Sequence, residues 1–507
     1  MPHIVVTIDQ GLTYEVVTRP PVNPPVPVTP PMRRVQITDA EGPTWDWASP
    51  MLLVPWRNKG GDWLDNDGVP YATGALTTIV PWLDFEVAAL VERLRGDNTG
   101  FFLHGTGLGH APPKFATRQA AANPPKLRVV TDTGTFDCAC VLDTWFTITS
   151  NQSQSAWGYL SAPALVRFDL SAITGVVQSA TFSLYLTNWY GGPWTFAVDF
   201  CDLPELITDP AVQHPERVEL GIAATVATDA DLATHPDVLQ YCGFSSKDEL
   251  DACWQWGGGA PVEYLDWPEY SMKAARLQAT PTGSTSYNGR TQMVAAAGVR
   301  NVKPWMVASP RQAPTHLFFR YLLRMEDDVP LGVNQGRKLP AASGRLTGYV
   351  NGEWGADYID PNSEWGIALD VQLPSAANGK AMGVTPYVYD MNNRMNSPLR
   401  GQVIPTGVAM VTSHTYTVEL EFKMNTRHAD GVQWNQDGVL AVWLDGVEVF
   451  RDEHRFWRDT EVANILIGEC LIMHGGNNAP HAPIHDQLSG WCVSRSYVGP
   501  PKRVNHG

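Results

Sequence analysis

The sequence has few basic residues, few cysteines and no long apolar run. Its 507 residues include 36 Lys and Arg against 52 Asp and Glu, a formal net charge of −16. This balance argues against nucleic acid and anionic membranes as partners, because phosphate binding depends on clustered basic side chains. The seven cysteines are odd in number and scattered, which argues against a disulfide framework and predicts mostly buried thiols in a reducing cytoplasm.

No targeting or membrane-spanning pattern is evident. The opening stretch MPHIVVTIDQGLTYEVV has no basic region, no continuous apolar region and no small-residue cleavage site, so it does not have the pattern of a secretory signal. No run of about 18 apolar residues occurs, the length that a membrane-spanning helix needs. We therefore expect synthesis in a cytoplasm without a signal peptide, and no membrane insertion.

Tryptophan, glycine and proline are abundant instead. The chain has 19 Trp, 44 Gly and 40 Pro, which indicates many turns and loops in a protein of two or three domains. An indole ring offers a large flat face that can stack on a sugar ring, and the same ring fills the core of a β-sandwich. Composition alone leaves both uses open, and we expect core packing for the majority.

The first 34 residues are predicted to form an anchoring arm. Residues 1–19 alternate like a strand, and residues 18–34 contain seven prolines. Such a segment cannot form a helix or the interior of a sheet, and extends as polyproline II. An extended arm of this kind needs a surface to lie on. We expect it to bind neighbouring subunits of a large assembly, and the protein to be a homo-oligomer.

Residues 35–204 are predicted to form a β-sandwich with one helix, over residues 84–94. In that helix Val87, Leu90, Val91 and Leu94 share a face,. Residues 205–260 have a helical pattern and are predicted to be a short insertion, with one helix over residues 235–243.

Residues 261–507 alternate again, and Asp445-Gly446 between two alternating halves predicts a tight hairpin,. Many such strands separated by turns predict a jelly roll. The expected fold class is therefore all-β: an N-terminal β-sandwich and a C-terminal jelly roll, with a short helical insertion and a Pro-rich arm.

Four short patterns follow one another in the C-terminal half. They are GRKLPAASG at 336–344, PYVYD at 386–390, DGVLAVWLDGVEVF at 437–450 and MHGGNNAP at 473–480. Together they resemble the jelly-roll polysaccharide lyases that include alginate and glucuronan lyases. The segment ALVRFDLSAITGVVQSATFSLYL at 164–186 resembles a β-sandwich module found beside polysaccharide-processing domains. These resemblances make carbohydrate the expected ligand class.

The lyase resemblance implies a set of catalytic residues. Such enzymes cleave by β-elimination beside a uronic acid, with a base for the C5 proton and an acid for the leaving oxygen. Transferred to this sequence, the catalytic residues are Lys338, Tyr387 and Tyr389. The two tyrosines are two residues apart, so on a strand their hydroxyls face the same side. Each residue also has a purely structural explanation, a turn lysine and tyrosines that suit a pleated surface.

The sequence departs from the family pattern at one point. The family has a Ser-x-Arg between the lysine and the tyrosines, and this chain has Gly366 and Ala368 where those residues would align. The missing Arg removes a clamp for the substrate carboxylate, so enzymatic activity is left open. Candidate substrate-binding residues are Trp354, Trp365, Arg394 and Trp434.

No metal site or cofactor is predicted. His474, His481, His485 and Asp486 cluster near the end of the chain, but without a regular element to fix them they indicate a surface loop. Residues 61–68 are rich in Asp but lack the carboxylates that an EF-hand needs at its first and twelfth positions,. An Asx-rich turn explains this segment, and a structural calcium of another type stays open.

These observations favour a virion-associated protein that recognises a host-surface polysaccharide and could depolymerise it. A phage tailspike, fibre or capsid decoration protein made in the host cytoplasm would need no signal peptide and would lie on the virion surface. One alternative is a free, extracellular polysaccharide lyase. Another is a purely structural capsid decoration protein with a non-catalytic, lyase-like fold.

Overall fold

The structure is a computed structural model that divides into two units, Met1–Arg33 and Arg34–Gly507. It describes residues 4–8, 12–16, 34–37, 47–49, 52, 54–59, 61–78, 80–107, 113–145, 157–159, 163–188, 193–253, 255–256, 263–279, 291–294, 315–327, 337–345, 364–375, 378, 380–391, 402–457, 466–474 and 484–503. The first unit contains one antiparallel hairpin, Ile4–Ile8 with Leu12–Val16. This hairpin confirms the predicted strand-like alternation over Ile4–Ile8 and Leu12–Val16. The proline-rich segment, as far as Arg33, is not among the described residues.

The second unit begins with a six-stranded sheet, here sheet A, that faces another six-stranded sheet, sheet B. Sheet A has the order Thr135–Cys138, Lys126–Thr131, Val177–Asn188, Lys114–Ala116 and Trp157–Tyr159, and Trp82–Glu86 pairs with Val177–Asn188. Sheet B has the order Cys140–Trp145, Ala164–Phe168, Phe101–Gly107, Trp194–Cys201 and Trp63–Leu64, and Ala72–Leu76 pairs with Trp194–Cys201. A small hairpin joins Trp47–Ser49 to Val54–Pro55.

Alternate residues of these strands fill the space between sheets A and B. Phe101 and Phe168 of sheet B contact Phe182 of sheet A, with ring centroids 5.4 and 5.6 Å apart. All three rings are buried. This is the period-two packing that the alternating sequence predicts.

One α-helix, Ala88–Gly96, covers the edge of this sandwich. Val87, Leu90, Val91 and Leu94 are all buried, as predicted, but the predicted start at residue 84 is wrong. The strand Trp82–Glu86 pairs with Val177–Asn188, and its alternation sends Leu83 and Phe85 into the core. These residues therefore belong to the sheet, although the helical pattern alone would have assigned them to the helix.

The C-terminal part is built from two eight-stranded sheets. Sheet C has the order Glu263–Trp267, Met272–Ala279, Ile484–Ser494, His316–Met325, Thr415–Lys423, Gly438–Leu444 and Val447–Arg455, and Val238–Cys242 pairs with Ile484–Ser494. Sheet D has the order Gln255–Trp256, Thr291–Val294, Leu466–His474, Arg337–Arg345, Glu364–Ser375, Ala381–Tyr389 and Gln402–Val403, and Ala409–Met410 pairs with Ala381–Tyr389. The all-β sandwich and jelly-roll class is thereby confirmed.

A single apolar core lies between sheets C and D. It includes Phe319 and Trp491 of sheet C together with Ile367, Leu369 and Val388 of sheet D. The predicted hairpin is present, since Asp445 and Gly446 have φ of 51° and 84° and connect Gly438–Leu444 to Val447–Arg455. Two consecutive left-handed residues are what a tight hairpin turn requires.

Residues 205–260 contain short helices but also contribute to the sheets. The α-helices are Pro210–Gln213 and Lys247–Cys253, and the 3-10 helices of the chain are Pro215–Arg217, Ile222–Thr225, Asp229–Thr234 and Pro268–Tyr270. The predicted helix over residues 235–243 is wrong, because Val238–Cys242 is a strand of sheet C. Its Gln240 and Cys242 are buried, so tertiary pairing overrides a helical pattern. The four-part division of the chain stays a prediction.

The cysteines have no disulfide partner among the described residues. Cys201, Cys242, Cys253 and Cys492 are buried, as expected. Cys138 and Cys140 are half-buried and, although only two residues apart, lie on different strands. The first ends Thr135–Cys138 of sheet A and the second begins Cys140–Trp145 of sheet B.

The acidic segment near residue 65 forms a tight turn. Asp67 and Gly68 both have positive φ, 55° and 88°, and the Gly68 N–H donates to Asp65 Oδ1 at 2.9 Å. This hydrogen bond is what the Asx-turn interpretation predicts. No helix among the described ranges is long and apolar enough to cross a membrane.

The described residues between Arg34 and Arg57, here called the bridging segment, pack on both sandwiches. Their apolar side chains form one cluster with sheet B and a second with sheet D: Ile37, Ala48 and Trp56 with Phe102, Leu142 and Leu165, and Val35, Leu52 and Val54 with Leu206, Ala381 and Ala409. Hydrogen bonds also join Gln36 to Asn378, from Gln36 N to Oδ1 at 2.7 Å and from Nδ2 to Gln36 O at 3.1 Å. The segment thus connects the outer faces of sheets B and D.

A buried polar network lies on the outer face of sheet C, away from the core. Arg320 is 0% exposed and donates from both terminal nitrogens to the Asp229 carboxylate at 2.7 Å. It also donates to the Gly490 carbonyl at 2.8 Å. Glu419, also buried, accepts the N–H groups of Val498 and Gly499 at 2.7 and 2.8 Å. Burial raises the pKa of Glu419 to about 7.

We expect the stability of the protein to fall as the pH rises towards and through 7, because of Glu419. Its pKa of about 7 in the folded protein lies above the ordinary value of about 4.3. The folded state therefore binds more protons than the unfolded state between these values, and stability is greatest below them. The full contribution is on the order of 3 kcal/mol. Urea denaturation at a series of pH values measures it.

The control for this prediction is Glu419→Gln. The neutral amide cannot titrate, so the pH dependence should be flatter than in the wild type, although one backbone N–H would face the amide nitrogen and lower the stability throughout. The difference between the two curves isolates this carboxyl group. If the free energy of unfolding changed with pH in the same way in both proteins, Glu419 would be ionised in the folded state as well as in the unfolded state.

Candidate functional site

Tyr387 and Tyr389 lie on the outer face of sheet D. They belong to the strand Ala381–Tyr389, in which Met382, Val384 and Val388 contribute to the core between the sheets. Successive residues of a strand alternate between its two faces. The odd-numbered tyrosines therefore point away from the core, as the sequence predicts.

The two tyrosines contact each other directly. The Tyr389 hydroxyl donates to the Tyr387 hydroxyl at 2.8 Å, and the ring centroids are 5.0 Å apart with the planes 79° to each other. Tyr389 is only 8% exposed, whereas Tyr387 is half-buried. Tyr387 is therefore the more exposed of the two tyrosines, and the buried Tyr389 donates a hydrogen bond to it.

The neighbouring strand places small residues opposite the tyrosines. Gly366 pairs with Tyr389, and Ala368 pairs with Tyr387. Directly paired residues share a face of the sheet. These are the two positions at which the resemblance expects Ser and Arg, so the strand beside the tyrosines supplies no guanidinium there.

The predicted catalytic lysine belongs to the next strand of the same sheet. The backbone of Lys338 pairs with Asp370, and Asp370 pairs in turn with Thr385, two residues before Tyr387. The register shifts between Lys338 and Ala341. Three adjacent strands thus bring the predicted catalytic residues into one region of sheet D. The Lys338 side chain lies outside the described residues, and its approach to the tyrosines stays a prediction.

The bridging segment closes one end of this face. A Cβ added to Gly383 would lie 2.1 Å from the carbonyl oxygen of Leu52, a distance at which no side chain fits. Thr385, the next residue on the same face, is 0% exposed. The outer face of sheet D is therefore covered at Gly383 and Thr385 and partly exposed at Tyr387. The region from Gly383 to Tyr389 on this face is here called the tyrosine cleft.

A buried ion pair fixes the chain directly after the tyrosines. Asp390 contacts Arg455 Nη2 at 2.8 Å, and both side chains are almost fully buried. The same nitrogen donates to Gln402 Oε1 at 3.3 Å, and the Met391 N–H donates to the Phe456 carbonyl at 2.9 Å. Sequence reasoning missed this pair, although Asp390 ends the PYVYD pattern. The contacts hold the end of the tyrosine strand against sheet C.

The predicted substrate-binding residues are only partly described. Trp354 and Arg394 lie outside the described residues. The backbone of Trp365 pairs with Gly344 in sheet D, and its side chain is likewise not described. Trp434 lies in the loop between Thr415–Lys423 and Gly438–Leu444 of sheet C, where Arg427 Cζ is 5.7 Å from its ring centroid. Their roles in ligand binding stay predictions.

Two groups of histidines and carboxylates contain potential metal ligands. In the C-terminal group the surface-loop prediction is wrong for His485 and Asp486, because both belong to the strand Ile484–Ser494. His485 Nδ1 is 2.8 Å from Asp327 Oδ2 and Asp486 is buried, whereas the His474 side chain and His481 are not described. Elsewhere, Asp209, His414 and Asp445 bring potential ligand atoms within 4.8 Å of one another. Burial alone would lower the pKa of His414, but the hydrogen bond and charge of Asp445 raise it overall. The His414 ring therefore lies between two carboxylates, with Nε2 2.9 Å from Asp445 Oδ2 and Nδ1 3.8 Å from Asp209 Oδ2.

Comparison with known proteins gives matches among solved structures. No protein-family model and no curated protein matches the sequence. Alginate lyase vAL-1 from Chlorella virus is 12% identical with a TM-score of 0.36, over 51% of this chain and 99% of that one. The PL-14 alginate lyase from Aplysia kurodai is 14% identical with a TM-score of 0.33, over 50% and 98%. The endo-β-1,4-glucuronan lyase from the fungus Trichoderma reesei is 10% identical with a TM-score of 0.32, over 51% and 95%. At these identities the likeness concerns the fold alone.

Proposed function

We propose that this protein binds a uronate-containing polysaccharide in the cleft over Tyr387 and Tyr389. The observation that carries the proposal is the 2.8 Å hydrogen bond between the two hydroxyls on an accessible face of sheet D. A sugar presents hydroxyl groups that both donate and accept, and a tyrosine hydroxyl can do the same while its ring contacts the apolar face of the sugar.

The surroundings support a preformed site. The Asp390–Arg455 ion pair holds one end of the tyrosine strand, and the close approach of Leu52 to Gly383 fixes the other. A ligand would therefore meet tyrosines whose backbone is already in place, which limits the ordering cost of binding. The cleft lies where the bridging segment meets the C-terminal sandwich, and junctions between domains are common locations for ligand sites.

A second candidate function is cleavage by β-elimination at the same cleft. The hydrogen bond between the hydroxyls favours it, because Tyr389 donates to the oxygen that carries the negative charge when Tyr387 acts as the base. In this reaction Tyr387 first gives up its hydroxyl proton to solvent. Its phenolate oxygen then takes the C5 proton of the uronate, a C4=C5 double bond forms, the C4–O4 bond breaks, and the leaving oxygen takes a proton from water. Lys338 is the proposed partner for the substrate carboxylate. Gly366 and Ala368 cannot serve in its place.

The experiment is a binding and turnover series on the full chain. The purified protein is mixed with alginate, glucuronan and other uronate polysaccharides, with retention in affinity gels as the measure of binding and ultraviolet absorbance as the measure of unsaturated product. The test variant is the double change Tyr387→Phe and Tyr389→Phe. The matched control is Tyr185→Phe, on sheet A.

Binding that is lost in the double variant and kept in the control supports the proposed glycan site. An unsaturated product that disappears in the double variant adds β-elimination. Absence of binding to every uronate polysaccharide, or binding that the double variant retains, overturns the proposal.

For the biological setting we propose a virion-associated protein at the virion surface, with the proline-rich segment as its attachment to other virion subunits. The alternatives are a free extracellular lyase and a purely structural decoration protein. Removal of residues 1–34 separates the first two. It should abolish incorporation into phage particles for a virion protein, and leave the activity of a free enzyme unchanged. Incorporation without any glycan affinity would favour the decoration protein.

A further inference from the structure

A second cavity lies on the opposite sheet of the C-terminal sandwich. It has a volume of about 580 Å³, and the described residues that line it include Asp229, Tyr241, Glu249, Asp266, Met272 and Lys273. Cys242 belongs to the core between sheets C and D, so its neighbour Tyr241 faces outward. The cavity is therefore on the outer face of sheet C, whereas Tyr387 and Tyr389 are on the outer face of sheet D. Its volume falls within the range of small-ligand sites, about 300–1,000 Å³.

Two polar side chains that line this cavity, Asp229 and Tyr241, are held in place by hydrogen bonds. The Asp229 carboxylate receives two hydrogen bonds from the buried Arg320 and a third, at 3.0 Å, from the Tyr241 hydroxyl. Burial raises the pKa of Tyr241, so this hydroxyl stays protonated and remains a donor to Asp229. The Tyr241 oxygen can then accept a hydrogen bond from a ligand.

One wall of the cavity is fixed in a similar way. The Glu249 carboxylate accepts the Gly243 N–H at 2.6 Å, the Ser245 N–H at 2.7 Å and the Ser245 hydroxyl at 2.6 Å. These bonds tie the loop before the helix Lys247–Cys253 to the helix itself. A ligand would meet a wall that is already ordered, and its binding energy would not be spent on ordering the loop.

The charges in the cavity disfavour an anionic ligand. Asp229 is neutralised by Arg320, and Lys273, the cation among the described lining residues, lies 3.5 Å from Asp266. The Glu249 carboxylate accepts its hydrogen bonds from neutral groups of Gly243 and Ser245. A uronate or a phosphate would therefore face carboxylates without an uncommitted cation, whereas a neutral ligand that donates hydroxyl protons would find acceptors.

We propose that this cavity binds a neutral sugar residue, and that the protein therefore holds a glycan at two places on opposite faces of the C-terminal sandwich. The inference rests on the proposed glycan-binding function and adds to it a second subsite with a different sugar preference. The tyrosine cleft takes the acidic sugar, and the cavity takes a neutral one from the same or a neighbouring polysaccharide chain.

The test is a titration of the full chain with neutral oligosaccharides of glucose, galactose and mannose, measured by calorimetry. Ala230 lines the cavity and is exposed, so Ala230→Trp fills the cavity without disturbing a core. The matched control is Ala227→Trp, which is also exposed and does not line the cavity. We expect Ala230→Trp to weaken binding by about tenfold or more, and Ala227→Trp and the double tyrosine variant to leave it unchanged.

The outcomes separate this inference from the proposed function. If no neutral oligosaccharide binds, or if Ala230→Trp binds as the wild type does, the inference is overturned while uronate binding at the tyrosines is unaffected. The inference would also be overturned if a linear polyamine, and no neutral sugar, bound to the wild type and lost its binding in Ala230→Trp. If neutral sugars bind as expected but no uronate polysaccharide does, the proposal for the tyrosine cleft fails and the cavity stands.

Discussion

Replacement of Arg320 by Met is expected to lower the free energy of unfolding by about 3–5 kcal/mol. The guanidinium is fully buried on the outer face of sheet C and makes a two-pronged ion pair with Asp229. Removal of one partner leaves the other charge buried without its counter-ion, which costs far more than the net contribution of the intact pair. Urea denaturation measures the loss, with circular dichroism to confirm that the variant is folded in buffer.

The control for this prediction is Arg451→Met. Arg451 also pairs with carboxylates, Glu448 at 2.7 Å and Glu421 at 3.1 Å, but it is 32% exposed. An exposed pair contributes about 1 kcal/mol or less. A second variant, Arg320→Met with Asp229→Leu, removes both buried charges and should recover part of the loss. Equal effects of Arg320→Met and Arg451→Met would contradict the assignment of a buried, counter-ion-dependent charge.

The second large effect is expected when the two tyrosines are changed one at a time. If the cleft performs β-elimination, Tyr387→Phe should lower kcat/KM by about 10²–10⁴-fold, because it removes the group that transfers the proton. Tyr389→Phe should cost less, on the order of tenfold, because that hydroxyl acts through its hydrogen bond to Tyr387. Initial rates of unsaturated product formation measure both variants.

A pH profile distinguishes proton transfer from support. Because a base must be ionised to act, the rate should rise with pH, and loss of the hydrogen bond that stabilises the ionised Tyr387 should move this rise to higher pH in Tyr389→Phe. A packing defect would lower the rate equally at every pH. A larger loss in Tyr389→Phe than in Tyr387→Phe would reverse the two roles. If a polysaccharide binds without turnover, its affinity should fall more in Tyr387→Phe than in Tyr389→Phe.

The strands of this protein could be predicted where apolar and polar residues alternate within one short stretch of the chain. The hairpin at Asp445–Gly446 follows from two residues that tolerate positive φ between alternating halves. The helix over residues 235–243 was predicted wrongly, because only pairing with Ile484–Ser494, distant in sequence, turns that segment into a strand. The separation of Cys138 and Cys140 into two sheets depends on a break at Ala139 that their spacing does not reveal.

The candidate site could likewise be predicted only in part. Tyr387 and Tyr389 could be placed on one face because a strand repeats every two residues. The contact of Asp390 with Arg455, and that of Gly383 with Leu52, join segments far apart in the chain. No local pattern specifies such contacts, so the supports of the cleft are found only when the sheets are assembled.

The bridging segment has a consequence for how such a chain can diversify. Because residues 34–57 contact sheet B and sheet D at once, the two sandwiches are not interchangeable modules. A recombination event that replaced only the N-terminal sandwich would leave Ala381, Gly383 and Ala409 facing water and would open the closed end of the tyrosine cleft. If the tyrosine cleft binds a glycan as proposed, its preference should therefore change by substitutions within the cleft or by joint inheritance of both sandwiches, and chimaeras joined after residue 204 should be poorly soluble.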